Sequence, residues 1–171
     1  MIVYGGSIRP NSTLTEEIAM RAAPSTEPTI AVADIIGCWK LIHAVELIDG
    51  VERPNPNLGT NPTGYLHYLA EGRVAVVVSL DGRKLLSGDH RRTAPREELA
   101  DAALTFDAYA GTFSLVAPDR IAHHIEISTY QNDVGKDLVR RIVLEDDRLT
   151  LYPVEYAQMN RWLVWQRIAP D

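Results

Sequence analysis

The chain is short of cysteine, of basic charge and of long apolar runs, and each shortage closes a class of function. Cys38 is the only cysteine in 171 residues. A disulfide framework and a cysteine-built zinc site are therefore excluded, and a reducing, cytoplasmic setting is expected. The formal net charge is -6, whereas a general nucleic-acid binder shows a basic excess or patch. Arg91, Arg92 and Arg96 cluster, but Asp89, Glu97, Glu98 and Asp101 surround them, so they read as a solvated face. No apolar run approaches the ~20 residues of a membrane helix, and no charged segment followed by an apolar core marks a secretory signal. The five histidines include no pair at the i, i+4 spacing of a helical zinc site, and no metal is expected. There is no P-loop, no glycine-rich dinucleotide fingerprint and no Gly-x-Ser-x-Gly elbow, so no cofactor is expected either.

What is present is a run of short alternating segments. Hydrophobic residues make up 46% and charged residues 23%, an ordinary globular balance for one domain. In residues 1–34, Thr13 and Glu16 have capping-box spacing ahead of Leu14 and Ile18. That segment reads as an extension, partly helical or disordered, stopped by Pro24 and Pro28. From Ile35 the period becomes two. Trp39 to Glu46, Gly64 to Leu69, Arg73 to Leu80, Tyr109 to Val116, Arg120 to Ser128, Leu138 to Glu145, Arg148 to Tyr152 and Asn160 to Ile168 read as strands, and Lys84 to Leu86 as a further short one. Asp49-Gly50, Glu71-Gly72, Asp81-Gly82 and Asp146-Asp147 separate several of them as turns. Thr93 to Ala108 breaks the pattern. Pro95 stands in a first turn, Glu97 and Glu98 suit a positive helix end, and Leu99, Ala102, Ala103 and Phe106 recur at helical spacing. Eight or nine strands at hairpin spacing with one inserted helix predict an all-β antiparallel meander or barrel.

Arg120 to Ser128 is the most informative stretch. Ile121, His123, Ile125 and Ile127 share one face, and Ala122, His124, Glu126 and Ser128 the other. A histidine in an apolar row is either a core residue bonded to a tyrosine or a backbone group, or the working group of a pocket.

Gly37-Cys38-Trp39-Lys40-Leu41 opens the strand run and Trp165-Gln166-Arg167 closes it. This pairing resembles the lipocalin and wider calycin barrels, in which an arginine from the last strand packs over the tryptophan of the first. Gly64-Tyr65-Leu66-His67-Tyr68, Tyr109-Ala110-Gly111-Thr112-Phe113, and His123 to Ser128 with Gly135 and Arg140 bring it closer to the bacterial and fungal lipocalin-like domain family. The resemblance covers about residues 35–168. It implies an eight- to nine-stranded calycin-type barrel over 35–171, behind an N-terminal extension over 1–34. It also implies an internal pocket for a small hydrophobic ligand. Related barrels include carriers and cofactor-free cyclases and isomerases.

In such a barrel alternate residues face inward. Ile121, His123, Ile125, Ile127, Arg140, His43, Leu66, Tyr68, Tyr109, Phe113, Leu163 and Trp165 are the inward set, with Gly111 making room between Tyr109 and Phe113. His123, Arg140 and His43 are the candidate catalytic residues, with His123 as general acid or base and Arg140 as anchor for an oxyanion. Tyr68, Tyr109, Phe113, Ile125 and Trp165 are the candidate substrate-binding residues, and His90 a lid residue over the mouth. Glu126 with His124 forms an i, i+2 pair on the outer face. The leading functional expectation is a cofactor-free isomerase, cyclase or lyase on a polyketide- or terpenoid-like metabolite. The alternative is a non-catalytic carrier or sensor. An extension exchanged between subunits would give a homodimer. No nucleic-acid or membrane partner is expected.

Overall fold

A computed structural model describes residues 30–154 and 160–169. The expected extension over 1–34 and its capping box lie almost wholly outside the described residues. Among the described residues nine strands run in order: β1 (Gly37–Ile48), β2 (Val51–Pro54), β3 (Thr63–Tyr68), β4 (Arg73–Ser79), β5 (Phe106–Ala117), β6 (Arg120–Ser128), β7 (Asp137–Glu145), β8 (Arg148–Pro153) and β9 (Arg161–Arg167). All pairings are antiparallel between sequence neighbours, except that β1 passes over β2 to pair with β3 and also pairs with β9. That last pairing closes an eight-stranded barrel, and β2 is an extra strand hairpinned onto β1. Closure leaves the eight barrel strands without a free sheet edge. The β1–β2 hairpin turns at Asp49 (φ 52°) and Gly50 (φ 77°), the left-handed pair that a two-residue hairpin demands and Asp-Gly supplies.

One end of the barrel is plugged. The short helix α1 (Val32–Ile35) lies across it. The Trp39 indole N–H donates to the Ile35 carbonyl at 2.9 Å. The Arg167 guanidinium stacks 4.1 Å from the Trp39 ring centroid and donates to the carbonyls of Ile36 and Asp34. Trp39, Leu66, Tyr68, Ile121 and Leu149 are fully buried around this plug. The strand alternation follows from this burial, since only one face of each strand meets the core.

Two local expectations need correction. Helix α2 spans only Arg96–Leu104, and none of its residues is buried. Phe106 begins β5 instead of completing a helical stripe. The helix is held by polar contacts: Glu98 accepts from the Ser87 amide and hydroxyl, both at 2.7 Å, and Arg83 donates to the Ala102 carbonyl at 2.9 Å. Lys84 to Leu86 forms no strand, and Leu85 is 99% exposed, so its apolar side chains have no surface to cover.

Candidate functional site

The unplugged half of the barrel holds a cavity of about 480 Å³. Its walls come from β4, β5, β7, β8 and β9, with the 55–58 loop and the end of α2 at the mouth. Val76, Val78, Leu151, Leu163 and Trp165 make the apolar wall, and Tyr109 and Arg140 stand among them. Arg140 faces inward because it pairs with Ile121 on β6 and Pro153 on β8, and partners across a ladder share a face.

His123 lies behind that wall, fully buried and between two tyrosines. Its Nε2 is 2.7 Å from the Tyr68 hydroxyl and its Nδ1 is 2.9 Å from the Tyr109 hydroxyl. Phe113 packs edge-on to Tyr68, with ring centroids 4.8 Å apart. Burial lowers the His123 pKa to about 3, and the nearby Arg140 charge pushes the same way. The ring is therefore neutral near pH 7, with one nitrogen donating and one accepting. Tyr68 has no exposed surface, and His123 is its only hydrogen-bond partner among the described residues. Its hydroxyl must donate to Nε2, or its proton would be buried without an acceptor. Nδ1–H then donates to the Tyr109 oxygen. The Tyr109 proton is left free for the cavity that Tyr109 lines. Burial pushes the Tyr109 hydroxyl up to about 12 and raises Tyr68 well above the usual phenol range, so both remain protonated.

Of the candidate residues, Arg140, Tyr109 and Trp165 line the cavity. Tyr68, Phe113, Ile125 and His123 are buried on the inner side but do not line it. His43 is exposed. The β1–β9 register shifts between Leu41 and His43, so Leu41 faces Trp165 while His43 faces Val164. That extra residue turns His43 outward and brings Ala44 in. Ile127 also faces out, at 66% exposure. A bulge places Gly111 opposite Ile125 and Ala110 opposite Ile127, with Glu126 between them, and both bulge residues leave the barrel. His90 is exposed, and its carbonyl accepts from the amides of Thr93 and Ala94 within its own loop. Gly111 serves the bulge and not the cavity: a Cβ there would lie 1.8 Å from the His124 carbonyl oxygen.

On the outer face His124 and Glu126 take separate partners. His124 bridges Ser114 at 2.9 Å and Asp137 at 2.6 Å, and Arg73 grips Glu126 with two bonds of 2.7 and 2.8 Å. None of these residues lines the cavity. Val76, Val78, Leu151, Trp162 and Asn55 do line it and were not among the candidates. Period-two counting from Val74 would have found the valines. Nothing local in the sequence signals Asn55, which is buried because its amide bonds the Ala44 carbonyl across the bent β1–β2 hairpin.

Among the described residues no helix is long and apolar enough to cross a membrane, and no group of histidine, cysteine and carboxylate side chains could hold a metal ion. Residues 36–168 match the family model of the lipocalin-like domain. No match is found among curated proteins. A lipocalin-like barrel is a ligand-binding fold suited to small hydrophobic molecules.

Proposed function

The chain belongs to the lipocalin-like domain family, and from that premise we propose that it acts without a cofactor on a hydrophobic, polyketide- or terpenoid-like metabolite held in the barrel, as an isomerase, cyclase or lyase. One observation carries this reading. The Tyr109 hydroxyl stands in an apolar cavity wall, fixed from behind by His123 and Tyr68, with the Arg140 guanidinium lining the same chamber. A carrier needs only the apolar walls. A buried three-residue chain that orients one hydroxyl suits chemistry on the ligand.

The walls hold the reactive conformer, which lowers the entropic part of the barrier. Tyr109 donates to an oxygen of the ligand, and Arg140 stabilises negative charge as it develops there. Complete proton transfer from Tyr109 would draw a proton from His123 Nδ1. His123 would in turn take the Tyr68 proton at Nε2, leaving a phenolate at a site with no exposed surface. Burial opposes that anion. Tyr109 thus polarises the ligand and keeps its proton. His123 does not touch the ligand. It is a positioning residue, and Tyr109 and Arg140 are the catalytic pair.

The test is to incubate the purified protein, with no added cofactor, with a fractionated extract of hydrophobic metabolites and to follow each compound by chromatography and mass. The expected outcome is a compound that changes retention at unchanged mass, or loses a small neutral fragment, and does so far more slowly with Tyr109→Phe. A ligand that binds and is always recovered unchanged would remove the catalytic reading and leave the carrier.

A further inference from the structure

The polar groups of the cavity are lopsided in a way that specifies its occupant. Acceptors near the mouth are already engaged. Asp107 accepts from the Thr129 hydroxyl at 2.7 Å, Asp133 from Lys136 at 3.4 Å, and the Asn55 side chain from the Asn57 amide at 2.9 Å. The donors on the walls are not. Tyr109 receives the His123 N–H and keeps its own proton unassigned. Arg140 donates one bond, to the Val139 carbonyl at 3.0 Å, and forms no ion pair among the described residues. A buried donor without an acceptor costs about 1–3 kcal/mol. Tyr109 and Arg140 are half-buried on the wall of one chamber, so an occupant that displaces water from them without bringing acceptors incurs that cost.

We infer that the ligand presents an electron-rich oxygen, as a carbonyl, enolate, phenolate or carboxylate, to the donor pair of Tyr109 and Arg140, and that the cavity selects such molecules over hydrocarbons and amines of the same size. Tyr109 is the neutral donor suited to a carbonyl. Arg140 supplies the charge that favours an oxyanion. The surrounding valine and leucine walls exclude water and strengthen both interactions. This inference rests on the ligand-binding half of the proposed function and not on turnover.

Four probes of matched shape test it: 1-ethylnaphthalene, 1-acetylnaphthalene, 1-naphthoate and 1-naphthylmethylamine, titrated at pH 7.5 with affinity read by calorimetry. The acetyl probe should bind about fivefold more tightly than the ethyl probe, as expected of one neutral hydrogen bond. The carboxylate should bind at least tenfold more tightly than the ethyl probe, and the amine most weakly. Tyr109→Phe should erase the ketone preference, and Arg140→Met the carboxylate preference. Equal affinities, failure of the oxygen probes to bind, or tightest binding of the amine would overturn the inference. Discrimination without any turnover leaves it standing and removes the catalytic reading; turnover without discrimination does the reverse.

Discussion

Acidification should unfold this barrel through His123 before that histidine can be protonated in place. Its pKa is lowered from 6.5 to about 3 by burial. In the unfolded chain it titrates near 6.5, so protons bind the unfolded state first as the pH falls. The stabilising contribution is therefore complete above pH 6.5 and is lost progressively from there towards pH 3. At about 1.4 kcal/mol per pH unit, pH 4.5 lies two units into that window and costs roughly 3 kcal/mol. That is a large part of the 5–15 kcal/mol typical of a domain. The assay is urea unfolding at pH 7.5 and 4.5, comparing the native protein with His123→Gln. Glutamine can donate and accept but does not titrate. The native protein should lose about 3 kcal/mol more than the variant between the two pH values, a difference of about 1 M or more in urea midpoint. Carboxylates titrate in both and cancel. Should the variant not fold, the imidazole resonances of the native protein decide: His123 should stay neutral down to the acid transition. A His123 resonance titrating between pH 5.5 and 7.5 would refute the burial argument.

Other substitutions probe the parts that hold the site. Gly111→Ala should prevent folding, because its Cβ would sit 1.8 Å from the His124 carbonyl oxygen and neither backbone can yield; soluble expression and circular dichroism report it. Tyr68→Phe leaves His123 Nε2 buried without its 2.7 Å partner and should cost about 1–3 kcal/mol in denaturant unfolding. Arg167→Ala removes the stack on Trp39 and the two bonds to α1. It should lower the melting temperature by several degrees, consistent with a loss of about 2 kcal/mol.

Sequence alone carried the eight barrel strands, their antiparallel order and the family, but it missed β2 and put a strand at Lys84 to Leu86 where none forms. Alternation and Asp-Gly turns are local, and each side chain records whether its face meets the core. The same locality put His123, Tyr68, Tyr109, Arg140 and Trp165 on inward faces. What it could not carry was any residue inserted into one strand and not its neighbour. The β1 irregularity at Ile42 sent His43 outside, and the β6 bulge at Glu126 did the same to Ile127. Each is one residue long, and in a structure of period two one residue reverses every face beyond it. Depth was equally out of reach. Alternation says inward, but only the packed barrel separates the plugged half, where His123 is held between two tyrosines, from the open half lined by Tyr109 and Arg140. His123 therefore keeps its place inside the barrel, but Tyr109 and not His123 lines the cavity. Which inward group can meet a ligand is decided by how high along the barrel it stands, and no strand encodes that alone.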